Sequence, residues 1–295
     1  MSKSILTTTK QQLDIERILS TLKYVRKFSG ETLLIKLGGA ALREAPLVES
    51  LCEDLALIRS VGLKVILVHG GGPAINEALT KHNITWSFHE GQRITTPEMM
   101  EVIETTLCGK VNRSIVRLLN KNNISSMGFS GTDARLIECK ALDPKLGLVG
   151  KVTKINVEFI ESLLASQSKN TYGTIPVIAP VGYGPHGQAY NLNADWAATA
   201  IASSLKLKKM IFLTDQDGIL DENQKLIATL GSGDLLDLIE RGVISGGMLA
   251  KARTIIDALS NGVRNIHILN GKHPHALIEE LFSENGVGTL CSSRT

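Results

Sequence analysis

Four charged side chains stand where a fold could gather them around an anion. Lys36 closes an apolar run just before Gly38-Gly39 in "LIKLGGAAL", and Lys251 follows Ser245-Gly246-Gly247 in "VISGGMLAK". Asp195 lies with Asn191 and Asn193 in "YNLNADWAATAIA", and Arg93 sits in "EGQRIT". Between them falls "VILVHGGGPAINEAL", an apolar run followed by His69-Gly70-Gly71-Gly72 and a helix opening at Pro73. Glycine loses the most backbone freedom on folding, so three in succession point to a sharp bend or to something coming very close. Proline suits the first turn of a helix, where its missing N–H would be unpaired anyway. The bare N–H groups and the positive dipole end at such a turn favour an anion. "FLTDQDGIL" adds Asp215, Asp217 and Gly218 beyond a further apolar run. Singly, each feature has an ordinary explanation: a lysine stem snorkelling from a strand end, an Asn or Asp capping a helix, an arginine in a surface ion pair. Together they place cations, glycines and one carboxylate at several strand ends.

The elements that must position these residues alternate along the chain. Short apolar, β-branched runs predict strands over 32–37, 64–68, 124–129, 134–140, 148–155, 175–179, 209–214 and 265–269. Helical spacing predicts helices over 46–61, 73–82, 97–120, 157–165, 194–205, 235–241, 248–259 and 275–282, with Thr96 as an N-cap. Ile15, Ile18, Leu19, Leu22, Val25 and Phe28 make an amphipathic helix over 10–28, ahead of the first strand, which packs on its own domain or on another subunit. Repeated βαβ units mean an α/β fold, a mainly parallel sheet covered on both faces. Ligands in such folds gather beyond the carboxyl ends of the strands, where His69–Gly72 lies.

Composition closes several alternatives. The 32 basic and 29 acidic residues nearly balance, at a formal charge of +3, with no basic run to hold nucleic acid. No apolar run is long enough to span a bilayer, so a membrane partner is not expected. The 4 cysteines, Cys52, Cys108, Cys139 and Cys291, are widely spaced and form no C-x-x-C pair, which fits a reducing, cytoplasmic setting and argues against a zinc site. His273 and His275 flank Pro274 with no further ligand pattern, and read as solvated surface. An α/β-hydrolase oxyanion loop at His69–Gly72 would need a G-x-S-x-G elbow, and Gly128-Phe129-Ser130-Gly131-Thr132 lacks the final glycine. The G-x-G-x-x-G at Gly182–Gly187 does not open a helix directly, so it reads as a turn or hairpin rather than a dinucleotide site. The P-loop pattern is absent.

Taken in order, "IKLGGAA", "VHGGGPAIN", "GQRIT", "YNLNADWAA", "LTDQDGIL", "SGGMLAK" and "GVGT" resemble the amino acid kinase family over nearly the whole chain. The resemblance implies an αβα sandwich around a mainly parallel open sheet, with an extra N-terminal helix. It divides the chain into an oligomerisation helix (1–29), an N-terminal lobe for an acyl amino acid (30–192) and a C-terminal lobe for ATP (193–295). The implied activity is ATP- and Mg²⁺-dependent phosphorylation of the γ-carboxylate of N-acetyl-L-glutamate in arginine biosynthesis; the alternatives are another carboxylate or carbamate kinase of the same fold, or a catalytically silent arginine-sensing protein. Gly71, Gly72, Arg93 and Asn191 would bind the acyl amino acid. Lys36 and Lys251 would stabilise the transferring phosphoryl group, and Asp195 would orient both. Gly38, Gly39, Asp215, Gln216, Asp217, Gly218, Ile219, Leu220, Val243, Ile244 and Ser245 would line the nucleotide site, and no residue is assigned as a metal ligand. "LKYVRKFSGETLLIKLGG" resembles members in which N-terminal helices interlace dimers into a hexamer and arginine binds as a feedback inhibitor. The matching positions are Tyr24, His267, Glu280 and Gly286, and the state implied is a homo-oligomer, dimer or hexamer. Ala40, Glu90 and Gln92 depart from the family's usual residues, and "DQDG" is an uncommon form of its loop. The changes beside Arg93 touch the substrate pocket.

Overall fold

The computed structural model describes residues 15, 19, 22, 23, 25, 26, 28–38, 44–165, 173–283 and 286–293. Tyr24, Gly39 and most of the expected helix over 10–28 lie outside the described residues. Its described part ends in helical residues at 25, 26 and 28, and Phe28 packs edge-on against Phe282 at 6.4 Å between ring centroids.

Eleven strands form one sheet among the described residues. Its centre is β1 (Thr32–Leu37), with β2 (Lys64–His69) on one side and β10 (Lys209–Thr214) on the other, all parallel. Beyond β10 come β12 (Asn265–Asn270), parallel, then β13 (Thr289–Ser292), antiparallel, and β11 (Thr229–Gly231) at the edge. Beyond β2 lies the long β8 (Ile175–Tyr183), which pairs with β5 (Ser126–Gly131), β6 (Ile137–Ala141) and β9 (Ala189–Asn191). β7 (Gly150–Ile155) closes the other edge as an antiparallel partner of β6. A separate hairpin joins β3 (Phe88–His89) to β4 (Gln92–Arg93).

Side chains alternate across a strand, and that period sorts β1 into two layers. Leu33, Ile35 and Leu37 enter the core under α1 (Ala45–Ser60), α4 (Asn112–Lys121) and α9 (Ala276–Phe282). Leu34 enters the core under α6 (Ala194–Ser204) and α8 (Gly246–Ser260), with Ala197, Ile201, Ala252 and Ile255. Lys36 shares Leu34's face and emerges from it at the carboxyl end of the strand. A smaller cluster of Ile75, Leu79, Met99, Met100, Ile103 and Leu107 binds α2 (Gly72–Lys81) and α3 (Pro97–Glu104) over β8. Helices α5 (Val157–Ala165) and α7 (Ser232–Glu240) complete the layers. Among the described residues no helix is long and apolar enough to cross a membrane.

The expected helix over 97–120 is present without a break, but it is not α-helical throughout. A π-helical stretch, Thr105–Val111, joins α3 to α4, and Thr96 caps the start as expected, its hydroxyl accepting the Met99 N–H at 3.2 Å. An extra residue per turn rotates the helix face at that point. The rotation sets Leu107 against Gly71 and turns Asn112 toward His69. The Gly182–Gly187 stretch is a turn leading β8 back into β9, as expected.

His273 and His275 are exposed, but neither is merely solvated. His275 donates its backbone N–H to Ser50 at 2.6 Å and meets Asp54 through Nδ1 at 2.8 Å. Asp54, buried on α1, also accepts the N–H groups of Leu277 and Ile278, so it caps α9 from another helix. The hydrogen bond and charge of Asp54 raise the pKa of His275 above its ordinary 6.5. Folding then favours the protonated imidazole, whose contribution is complete below pH 6.5 and fades as pH rises through the raised value. The expected result is a melting temperature that declines across that window, with the decline flattened in His275→Asn; an unchanged slope in the variant removes this pair from the pH dependence.

Candidate active site

Three of the four charged residues meet on one carboxylate. Asp195 Oδ2 lies 2.6 Å from Lys251 Nζ and Oδ1 lies 2.9 Å from Lys36 Nζ. The side chains are mostly buried, 15% exposed for Lys36, 11% for Lys251 and 19% for Asp195. Burial alone would raise the pKa of Asp195, but the two ammonium groups more than reverse this and hold it below the usual carboxylate range. Asp195 is not the helix cap: the side chain of Asn193 accepts the N–H groups of Asp195 and Trp196 at 2.9 and 3.3 Å. That division of labour leaves the Asp195 carboxylate free to take both lysines.

A cavity of about 450 Å³ opens beside this triad, lined by Lys36, Gly71, Gly72, Arg93, Asn191 and Asp195 among others. The start of α2 lies at its wall, so the N–H end of a helix faces the space. A Cβ on Gly71 would stand 2.3 Å from Leu107 Cδ2, so a side chain there requires Leu107 to shift. His69 is fully buried at the end of β2. Its Nδ1 lies 2.9 Å from the Gly70 carbonyl oxygen, and Asn112 Nδ2 lies 3.1 Å from its Nε2. Burial depresses the His69 pKa to about 4, so the ring is neutral. The two contacts fit one tautomer, with Nδ1–H donating to Gly70 and Nε2 accepting from Asn112. Because the C=O and N–H of a trans peptide point opposite ways, fixing the Gly70 carbonyl also fixes the direction of the Gly71 N–H.

Arg93 is buried, with its guanidinium 4.7 Å from the Phe88 ring centroid and 5.7 Å from that of Trp86. Nη2 donates to Asn76 Oδ1, while Nη1 is buried with no hydrogen-bond partner among the described residues. Desolvation lowers the Arg93 pKa, the mark of a buried cation with no carboxylate beside it. Asn191 reaches Arg93 through Thr95: Asn191 Nδ2 donates to Thr95 Oγ1 at 3.2 Å, and that hydroxyl donates to the Arg93 carbonyl at 2.8 Å. Sequence reasoning gave no role to Thr95, Asn112, Asn76 or the two rings, and took His69 only as part of the glycine turn. Thr95, His69 and Asn76 stood within motifs that could have flagged them, "GQRIT" and "VHGGGPAIN".

A second cavity, about 570 Å³, gathers Gln216, Gly218, Ile219 and Leu220 with Val243, Ile244 and Ser245, two segments well apart in sequence. Asp215 and Asp217 do not line it. Asp217 accepts from Asn270 at 2.7 Å and lies 3.1 Å from His273 Nε2, and Asp215 lies beside Thr214. Gly38 donates its N–H to the Leu213 carbonyl at 2.7 Å, joining the ends of β1 and β10. The described residues hold no group of three His, Cys, Asp or Glu side chains suited to a metal.

Three of the four positions matched to an arginine site come together elsewhere. His267 Nδ1 lies 2.5 Å from Glu280 Oε1, and Glu280 Oε2 accepts the N–H groups of Val287 and Gly288 at 2.8 and 3.1 Å. Gly286 has φ +59°, and a Cβ on it would stand 2.6 Å from Glu280 Oε2. Burial favours neutral His267, while the His267 contact and the two N–H groups hold Glu280 ionised against its own desolvation.

The sequence is 41% identical to acetylglutamate kinase of Campylobacter hominis, over 95% of this chain and 98% of that protein. It is 43% identical to acetylglutamate kinase of Clostridioides difficile, over 92% and 95% of the two. The fold resembles N-acetylglutamate synthase from Neisseria gonorrhoeae (TM-score 0.83, 22% identity, 95% of this chain and 64% of that one). It also resembles carbamate kinase from Giardia lamblia, with TM-score 0.63 and 15% identity over 90% and 99% of the two chains. The sequence model of the amino acid kinase family matches residues 31–270, and the chain belongs to that family.

Proposed function

We propose that this chain phosphorylates the γ-carboxylate of N-acetyl-L-glutamate with ATP, releasing ADP and the acyl phosphate. What supports this above all is the one carboxylate, Asp195, held between Lys36 on β1 and Lys251 on α8 beside a glycine-walled cavity. In this reading the N-terminal lobe (30–192) binds the acyl amino acid in the cavity of Gly71, Gly72, Arg93 and Asn191. The C-terminal lobe (193–295) binds ATP in the cavity of Gln216, Gly218, Ile219, Leu220 and Val243–Ser245, with Gly38 and Gly39 assigned to the nucleotide by the family resemblance.

The residue types suit the reaction. The acceptor carboxylate is ionised at neutral pH, so no general base is needed. Its oxygen bonds to the γ-phosphorus as the bond to the β,γ-bridging oxygen breaks, and ADP leaves. A loose phosphoryl transfer needs alignment and positive charge on the equatorial oxygens. Lys36 and Lys251 supply charge, and the Gly71 and Gly72 amides supply donors. Mg²⁺ bound to the ATP phosphates would neutralise charge there; such ions keep several waters and need few protein ligands. Arg93 offers its unpartnered Nη1 to the substrate's α-carboxylate, a planar fork that lysine cannot copy. Arg93→Lys raises KM for the acyl amino acid roughly tenfold or more, with KM for ATP unchanged. A defect confined to the ATP side would place Arg93 elsewhere.

Arginine is the proposed inhibitor. Its guanidinium would be recognised by Glu280, next to His267 and Gly286, with Tyr24 from the N-terminal helix. The helix also presents Ile15 and Leu19, 56% and 53% exposed, a face suited to another subunit of a homo-oligomer, dimer or hexamer. One assay tests the whole reading: ADP release with N-acetylglutamate, glutamate, aspartate, or bicarbonate plus ammonia, each with and without arginine. Hydroxylamine added to the assay traps an acyl phosphate as its hydroxamate. Release and trapping with N-acetylglutamate alone, suppressed by arginine, is expected. Release with another acceptor alone refutes the substrate assignment. In Glu280→Gln the arginine concentration for half-inhibition rises about tenfold, from loss of a charge-assisted hydrogen bond, while uninhibited turnover is kept.

A further inference from the structure

Asp195 is not the only group that fixes Lys251. The Lys251 ammonium lies 4.5 Å from the ring centroid of Phe212, a fully buried residue of β10. Phe212 is the register partner of Lys36 on the adjacent strand, so the ring and both lysines occupy one face of the sheet. We propose that Phe212 is a positioning residue whose π-face holds the Lys251 ammonium in place for phosphoryl transfer. The inference rests on the role given to Lys251 above.

The chemistry favours an aromatic ring at this place. A lysine ammonium sits on a flexible four-carbon stem and carries three donors. Asp195 fixes it through a single oxygen at 2.6 Å, while its other oxygen faces Lys36. A second carboxylate would hold Lys251 harder but would neutralise the charge that the phosphoryl group needs. An aliphatic side chain would fill the space with no attraction. A ring face attracts the cation through its quadrupole and brings no carboxylate or carbonyl acceptor to occupy its N–H donors, so these remain for phosphate oxygens. The stem is fixed as well. Trp196, next to Asp195, donates its indole N–H to Thr254 Oγ1 at 3.1 Å, and Thr254 donates to the Ala250 carbonyl at 2.9 Å. This pair ties α6 to α8 one turn from Lys251, so the ring has to restrain only the lysine's outer bonds.

The test is a series of phenylalanines at position 212 of the full chain carrying one, two and three ring fluorines. Fluorination drains the quadrupole step by step at nearly constant volume. The expected result is a kcat that falls with each fluorine, reaching about tenfold for the trifluoro ring, with both KM values and the melting temperature steady. A flat kcat, a fall tracked by melting temperature, or a change confined to KM overturns the proposal. Lys251→Ala is assayed alongside. If it keeps full turnover, the role of Lys251 fails and takes this inference with it. If it loses turnover while the fluorine series is flat, only the role of Phe212 falls.

Discussion

Lys251→Ala is expected to lower kcat about 100- to 1000-fold, equal to roughly 3–4 kcal/mol of barrier, with KM for both substrates within about twofold. The lysine is already paired with Asp195 before any substrate arrives, so its free charge serves the migrating phosphoryl group more than ground-state binding. Lys251→Arg keeps the charge but replaces a compact ammonium with a planar fork, and recovers only a small part of the loss. Steady-state kinetics with varied ATP and varied acceptor separate the two effects. A loss expressed mainly in the KM for ATP makes Lys251 a nucleotide anchor.

Asp195→Asn is the more damaging change, because it acts on both lysines and on the fold. It leaves two mostly buried ammonium groups without their shared counter-charge. Removing one partner of a buried pair costs about 3–5 kcal/mol, and here each oxygen serves a separate cation. Turnover near background and a clear drop in melting temperature are expected together. High concentrations of a polyanion such as pyrophosphate restore part of the melting temperature by supplying negative charge at the same place. A variant with wild-type melting behaviour and lost turnover shows that the carboxylate aligns the lysines without stabilising the fold.

Much of this architecture was legible in the sequence, because hydrophobic period reports burial directly. The strands at Thr32–Leu37 and Lys209–Thr214 and the helix at Val157–Ala165 have the bounds that their apolar runs predict. The short strands β3, β4, β11 and β13 carry too few residues to show a period. The π-helical stretch was illegible for another reason: one extra residue in a turn leaves composition untouched and is dictated by what Leu107 and Asn112 meet across the chain. The same divide runs through the site. Lys36, Asp195 and Lys251 announce themselves by glycine-rich or helix-opening surroundings. The Arg93–Thr95–Asn191 chain and the ring beneath Lys251 do not, since each joins residues whose nearness is created only by folding. Asp217 shows the converse, a motif residue whose side chain turns to Asn270 and His273 and does not line the cavity of its neighbours.

β1 and β10, which the proposed function assigns to different lobes, are stitched side by side over five register pairs, from Leu33–Lys209 to Leu37–Leu213. Prising the halves apart along that seam would strip a row of main-chain bonds, so the seam behaves as a torsion bar and not as a hinge. On the proposed function, closure around nucleotide would then fall to coiling of the sheet and to the loops at its rim, not to a hinge between β1 and β10.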